Sequence, residues 1–423
     1  MVIRNLKGVT DFDPAVMTLR NRITDTLRHN FELYGYQPLD TAMLNYRDLL
    51  TYKYGEQAEI VKEIYSLSDQ GARDLGLRFD LTVPFCKYIA LNRSLKLPFK
   101  RYEIGKVFRN GPVKAGRLRE FIQCDVDVVG DGSREIEIEL LELAITCYLQ
   151  LGITPQIQIG HRQILTGLLQ MLGVTDNHDA IIGVLDKIKK ITREETLTEL
   201  GKYLPNEQAI KLLETVTLDL PALEKLSPNN TGIAEIKTLW AQLTALNLAQ
   251  YCVFTPSLAR GLNVYTGAVW EVFDAQGRYS SSLGGGGRYD QIITNFVGSG
   301  VAYPAVGISF GLEPISTLLT ATQNTNINPI RLLIVPMETA PQCHALANQL
   351  RALGMPTMLW TAKPKVGKAL EYAAATQIAC ATVIGADEIN SGHLRVKNLR
   401  TGEQIDFALN DINALVNYLK QAN

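Results

Sequence analysis

The segment from Arg101 to Gly130, RYEIGKVFRNGPVKAGRLREFIQCDVDVVG, limits the fold more than any other part of the chain. Its second half alternates, with Leu118, Ile122, Cys124, Val126 and Val128 on one face and Arg119, Gln123, Asp125 and Asp127 on the other. A period of two marks a strand. The stretch therefore predicts two strands joined by a Gly/Pro loop, with an apolar face on a core and a polar face opposite. Alternation alone fits a solvated sheet face as well as the floor of a site. The flanking residues favour the site. Arg109 ends the first strand, Arg117 and Arg119 open the second, and Asn110-Gly111-Pro112 with Lys114-Ala115-Gly116 make a turn able to fold over a ligand. Planar guanidinium forks suit phosphate oxygens, whereas Gln123 and Asp127, deeper along the strand, suit an amino or imidazole N–H.

A chain of 423 residues has room for two or three domains with substantial cores. At 46% hydrophobic and 20% charged residues it reads as globular, without an apolar run of membrane-spanning length. The start, MVIRNLKGVTDFDP, lacks the hydrophobic segment of a signal peptide, so a cytoplasmic protein is expected. Cys86, Cys124, Cys147, Cys252, Cys343 and Cys380 show no metal-ligand spacing and sit in apolar contexts, which predicts buried, reduced thiols. A formal net charge of −1 argues against nonspecific coating of nucleic acid but leaves room for local basic patches.

Along the chain, residues 14 to 34 carry apolar positions at helical spacing, followed by an extended segment, YQPLDTAMLN. GLRFDLTVPFCKYIAL starts as a strand and turns helical after Pro84; on residue type alone Asp80 is an exposed acid in a turn. Residues 133 to 151 form an amphipathic helix capped at Ser133, its charges expected on a solvated face. From about 160 to 250 the pattern is helical and polar, an insertion whose Lys187, Lys189 and Lys190 are a solvated cluster or an RNA contact. In the strand-like run QYCVFTPSLARGLNVYTGAVWEVFD, Arg260 is costly to bury unless it pairs with an anion, which favours a ligand role. Gly284 to Gly287 read as a phosphate-cradling or ordinary loop, without the Lys-Ser/Thr of a P-loop. YPAVGISFGLEPI follows as strand then helix, with Gly311 allowing close packing. After the polar linker at about 320 to 329, a β-α-β-α-β alternation with two further strands and a last helix predicts a separate α/β domain, on which Lys363, Lys365 and Lys368 form a basic edge.

The hairpin with GRLREFIQ resembles motif 2 of class II aminoacyl-tRNA synthetases, in the form found in histidyl-tRNA synthetases. LARGL-x-x-YTG (Leu258 to Gly267) and GGGGRYD are similar to further motifs of that family, and the C-terminal VIGADE and VKNLRTGEQ to its anticodon-binding domain. The resemblance covers nearly the whole chain, in order. It implies an α+β catalytic domain over residues 1–325 (class II antiparallel sheet with helices, helical insertion at about 165–250) and an α/β anticodon-binding domain over 330–423. The long helix and strand would be motif 1, the family's dimer-forming element, implying a homodimer.

The implied reaction is activation of L-histidine by ATP to an adenylate, then transfer to tRNA. Arg109 and Arg260 would flank the reacting phosphoryl group, Arg117 would reach the outer phosphates, and Gly311 would lie under the nucleotide. Asp80 and Thr82 would hold the α-ammonium, with Arg109, Gln123, Asp127, Arg260 and Tyr265 around the amino acid, and Mg²⁺ would be carried largely by ATP. No metal site of the protein's own is implied, and none of the five histidines falls in these motifs. The sequence departs from the family pattern at Asn110-Gly111, at Asn263 and at Pro314, where an acid, an acid and a phosphate-contacting arginine are usual. Those departures leave a second reading, a catalytically impaired paralogue that binds histidine or RNA and regulates. A general RNA-binding module is a third, which explains the C-terminal part only.

Overall fold

The alternating hairpin forms as its pattern requires, and the rest of the large sheet is built on its two edges. A computed structural model describes residues 2–52, 59–113, 117–188, 191–260, 264–322, 328–362 and 365–422. The chain divides into two compact units, residues 1–11 with 22–321 and residues 12–21 with 322–423.

In chain order the first unit contains β1 (Gln37–Pro38), β2 (Leu44–Tyr46), β3 (Ser66–Ser68), β4 (Asp74–Leu77), β5 (Phe99–Phe108) and β6 (Glu120–Val129). These are followed by β7 (Pro155–His161), β8 (Cys252–Phe254), β9 (Ala268–Asp274), β10 (Gly284–Arg288) and β11 (Ala305–Gly311). Among the described residues, β2, β4 and β3 make a small sheet, and the other eight strands pair in the order β1-β5-β6-β11-β10-β9-β7-β8. The run from β5 to β7 is antiparallel throughout, and the outer pairs β1–β5 and β7–β8 are parallel.

Register decides what each face carries, because directly paired residues point to the same side. One side presents Tyr102, Val126, Ile308 and Trp270 in one row and Ile104, Cys124, Phe310 and Val272 in the next. The helices Pro14–Leu33 and Glu135–Gln150 cover that side. Phe31 lies 5.5 Å from Tyr102 and 5.6 Å from Phe310, and Tyr148 lies 5.3 Å from Phe310, ring to ring. Phe31, Phe310 and Trp270 are fully buried, and each such side chain contributes about 1.5–3 kcal/mol of burial free energy.

Several local expectations change. The helix near Pro84 begins at Thr82, with the proline in its first turn where a missing N–H costs nothing. Ser133 does not cap the helix Glu135–Gln150, and that helix's charges are not all solvated. Glu137 is buried, held by Arg288 Nε at 2.6 Å and Arg134 at 3.0 Å, while the Ser133 carbonyl accepts from Arg288 Nη2. The same Arg134 reaches Glu235 at 2.7 Å, and buried His161 Nε2 meets Glu235 at 2.9 Å. This network ties the insertion, whose helices run from Arg162 to Ala245, to the strand that carries Arg288. Gly284 to Gly287 are not a loop but a central strand, β10, between β9 and β11. All six cysteines are free and buried, as expected.

In the second unit β12 (Leu332–Pro336), β13 (Thr357–Leu359), β14 (Cys380–Ile384), β15 (His393–Asn398) and β16 (Gln404–Ala408) form a sheet ordered β13-β12-β14-β15-β16, parallel at β13-β12-β14 and antiparallel beyond. Leu332, Ile334, Leu346, Leu350 and Leu415 form one core cluster with helices Ala340–Ala352 and Ile412–Gln421. A short helix at Ala386–Ser391 was not apparent in the residue pattern. Lys365 and Lys368 are exposed; Lys363 lies outside the described residues, as do Lys189 and Lys190.

Candidate active site

The sheet face opposite Phe31 is built from a different alphabet. One row across it reads Glu103, Asp125, Ser309, Gly285, Glu271, and the next Arg101, Asp127, Gly307, Gly287, Val269. Glycine weakens a strand unless something must lie against its backbone, and at three positions a charged side chain does. A Cβ on Gly105 would stand 2.4 Å from Arg78 Nη2, one on Gly307 2.0 Å from Asp127 Oδ1, and one on Gly285 1.8 Å from Arg260 Nη1. Three charged groups thus lie flat on the sheet where side chains would otherwise stand.

Above this floor is a cavity of about 510 Å³ whose walls include Arg109, Arg117, Gln123, Arg260, Gly311 and Pro314. Arg109 follows β5, donates Nε to the Phe79 carbonyl at 3.0 Å and stacks 5.0 Å from the Phe121 ring. Arg260 is not inside a strand. It sits on the connection between β8 and β9, and its Nη1 donates to the Trp270 carbonyl at 3.1 Å. Gly261, Leu262 and Asn263 lie outside the described residues, as do Lys114 to Gly116. Two guanidinium groups separated by 150 residues of chain therefore border one cavity. Arg117, half exposed, is held at the mouth by Glu63 at 2.9 and 3.2 Å.

Asp80, Thr82, Asp127 and Tyr265 are not in that wall; Asp80 and Asp127 are buried, and Thr82 and Tyr265 are half-buried. Asp80 is not exposed. Its Oδ1 accepts the Val83 N–H, in the first turn of the helix Thr82–Leu91, at 2.9 Å, with Thr82 half-buried. Asp127 accepts the Tyr289 hydroxyl on Oδ1, and Arg101 Nη2 stands 2.7 Å from Oδ2 out of hydrogen-bonding alignment. Arg101 rests 4.2 Å over the Phe85 ring and lies 3.5 Å from Glu103, which also takes Arg78 at 2.7 Å and the Thr41 hydroxyl. Buried charges are tolerable only when so paired. Burial raises the carboxyls of Asp125 and Asp127, Arg101 opposing it in both. Burial likewise raises the Tyr265 hydroxyl, against the pull of Arg260.

Residue patterns missed Arg101, Glu103, Ser309 and Tyr289. Arg101 and Glu103 sit in a strand of aromatic and apolar residues, and their alternation in RYEIG was the available signal. A larger groove of about 710 Å³ lies elsewhere, bordered by Leu44, Tyr46, Tyr52, Arg73 and Phe296. Among the described residues none of its side chains carries a buried polar atom without a partner, whereas the sheet face has Gln123 Oε1 and Asp125 Oδ1 in that state. The smaller cavity is therefore the candidate.

Comparison with known proteins agrees with this geometry. A family profile described as "Histidyl-tRNA synthetase" matches residues 8–315, and one described as "Anticodon binding domain" matches 330–421. The chain belongs to the histidyl-tRNA synthetase family. It is 42% identical over 429 residues to "Histidine--tRNA ligase 1" of Bacillus thuringiensis, covering 99% of this chain and 100% of that protein. A histidyl-tRNA synthetase crystal structure from Nostoc sp. superposes with a TM-score of 0.87 at 29% identity, covering 100% of this chain and 99% of that one. An "ATP phosphoribosyltransferase regulatory subunit/histidyl-tRNA synthetase" from Bacillus halodurans superposes with a TM-score of 0.74 at 22% identity, covering 87% of this chain and 96% of that one. That last likeness shows a shared fold alone. Among the described residues no helix is long and apolar enough to cross a membrane.

Proposed function

We propose that this cleft activates L-histidine with ATP and passes the histidyl group to tRNA, as a histidine–tRNA ligase. The observation that carries the reading is the convergence of Arg109 and Arg260 on the cavity that also holds Gln123. In the first step the substrate carboxylate oxygen attacks the α-phosphorus, and the bond to the departing pyrophosphate breaks. In the second, a hydroxyl of the tRNA's terminal adenosine attacks the acyl carbon and AMP leaves. The nucleophile of each step comes from a substrate, so the protein's work is to position groups and to stabilise negative charge.

Arg109 and Arg260 are assigned to the reacting phosphoryl group and the substrate carboxylate, and Gly311 to the nucleotide. Arg117 is assigned to the outer phosphates, for which it exchanges Glu63. Asp80 and Thr82 are assigned to the α-ammonium, and Gln123, Asp127 and Tyr265 to the rest of the amino acid. Among the described residues no group of three or more His, Cys, Asp or Glu is arranged to hold a metal, and the cavity's carboxylates are Glu271 and Glu313. That donor set fits Mg²⁺ carried by the nucleotide and touched by one or both of these acids, where it would supply charge neutralisation of the phosphates.

The second unit is assigned to the tRNA anticodon, with Lys365 and Lys368 on its exposed surface. Exposed Leu44, Tyr46 and Tyr52, beside the motif 1 strand, support a homodimer. A regulatory paralogue is disfavoured by full-length relatives named as ligases and by the anticodon-binding profile. Histidine-dependent ATP–pyrophosphate exchange tests the reading. Exchange is expected, and Arg260→Ala should lower it by about 10²–10³-fold with the fold intact. A well-folded wild-type chain without exchange, or an Arg260→Ala chain with near-normal exchange, would overturn the activity or that assignment respectively.

A further inference from the structure

On the side of the sheet away from the cleft, a run of charged groups joins the helical insertion to the strand whose glycines form the cleft floor. Arg288 is one residue past Gly287 on β10, so its side chain leaves the opposite face. There it is 2% exposed, with Nε 2.6 Å from Oε1 of Glu137 and Nη2 donating to the Ser133 carbonyl at 2.7 Å. Arg134 carries the run outward. Its Nη1 lies 3.0 Å from that same Glu137 oxygen, and its Nη2 lies 2.7 Å from Glu235 on the insertion helix Thr231–Ala245. One planar fork thus bridges two carboxylates from separate parts of the chain.

Both ends of the run are fixed. On the insertion side, His161 accepts the Gln163 N–H on Nδ1, so its ring proton is on Nε2 and is donated to Glu235 at 2.9 Å. A Cβ at Gly232 would stand 2.6 Å from His161 Nδ1, so the insertion helix sits directly on that ring. On the cleft side, the Arg288 carbonyl accepts the Thr266 N–H at 2.8 Å, and a Cβ at Gly267 would lie 3.1 Å from Arg288 Cδ. Two tyrosines flank these contacts. Tyr265 lies where a Cβ at Gly287 would meet its ring at 2.9 Å, and Tyr289 donates its hydroxyl to Asp127. A shift of Arg288 therefore moves both rings.

We propose that Arg134 is a positioning residue for histidine activation, holding Arg288 in place through Glu137 and making that hold depend on the docked insertion through Glu235. The inference rests on reading the cleft as a histidine-activating site with Tyr265 against the amino acid. Charge counting supports it. Two cations, Arg134 and Arg288, serve three acids, Glu137, Glu235 and Asp290, the last 3.4 Å from Arg288 Nη1. Both guanidinium groups already share one oxygen of Glu137. Without Glu235 to draw it outward, Arg134 competes with Arg288 for that oxygen, and a buried cation whose anion is taken must move.

The test is Glu235→Gln in histidine-dependent pyrophosphate exchange, a reaction without tRNA in which no residue of the insertion is assigned to a substrate. Glutamine keeps an acceptor for His161 and removes the charge that holds Arg134. The KM for histidine should rise about threefold or more while that for ATP stays within about twofold. Arg134→Lys, with one ammonium in place of the two-sided fork, should give the same split, and combining the two variants should add little, because both break one bridge. An unchanged KM for histidine, a parallel rise for both substrates, or effects of the two variants that multiply would each overturn the assignment, since a merely structural role lowers stability without a selective loss of histidine. If Glu235→Gln does not fold, Arg134→Lys alone reads the same split. A wild-type chain without exchange would sink the reading of the cleft itself, whereas an active wild type with indifferent variants sinks this inference alone.

Discussion

Gly285 is the residue on which Arg260 rests, and replacing it by alanine perturbs the site at a single atom. The added Cβ would lie 1.8 Å from Arg260 Nη1, so restoring an ordinary 3.4 Å contact lifts the guanidinium by about 1.6 Å. A misplacement of about 1 Å in a positioning group can cost on the order of 10²-fold in rate, or about 2.7 kcal/mol of transition-state stabilisation. The same Cβ would approach the Trp270 carbonyl to 2.6 Å, a backbone atom that cannot swing away, so overpacking should also cost about 1–3 kcal/mol of stability. The two losses separate in a double-mutant cycle. Gly285→Ala alone should lower histidine-dependent exchange by at least about 10²-fold. Added to Arg260→Ala, which has no guanidinium left to displace, it should cost less than about threefold, leaving most of its effect as coupling. Denaturant melts of all four proteins would show the stability cost of Gly285→Ala in either background. Losses that simply multiply, or a Gly285→Ala enzyme within threefold of wild type, would refute the claim that this glycine makes room for Arg260.

Two further expectations concern the mouth and the floor. Glu63→Gln should free Arg117 for the nucleotide and lower the KM for ATP by up to about fivefold, the worth of an exposed pair at about 0.2–1 kcal/mol; an unchanged or higher KM would remove Glu63 as a competitor. Asp125, raised to about 7 in the folded chain against about 3.9 unfolded, binds a proton in the native state that the unfolded chain has already released. Its contribution therefore falls as pH rises from about 4 to 7, and Asp125→Asn should gain stability relative to wild type across that window. Denaturant midpoints at pH 4.5 and 8 check this, and a variant-to-wild-type difference that does not grow with pH would rule it out.

The site was legible where its chemistry and its periodicity coincided. Gln123, Asp125 and Asp127 alternate with buried apolar residues on one strand, so their common face followed from a period of two. Arg109 was legible for a similar reason, at the end of a strand and beside a turn. Glu137 was misread because an acid in the first turn of an amphipathic helix is ordinarily solvated, and only the arrival of Arg288 and Arg134 from distant segments makes its burial tolerable. Gly284 to Gly287 were misread because glycine has no intrinsic strand preference; β9 and β11 on either side make them a strand. Arg260 reached the site without being in a strand, which local pattern had no means to exclude.

Local chemistry along the chain therefore determined the hairpin, the long helix, the two-part organisation and the residue types suited to phosphate and imidazole. These depend on neighbours a few positions apart, and side-chain direction repeats over that distance. Only the tertiary structure decided which charged groups lie together, that Tyr289 donates to Asp127 Oδ1 while Arg101 stands 2.7 Å from Oδ2 without a hydrogen bond, and that Asp125 Oδ1 is likewise without a hydrogen-bond partner among the described residues. The reason is physical: whether a buried charge is satisfied depends on atoms brought within about 3 Å by strand register, and those atoms come from segments far apart in the chain.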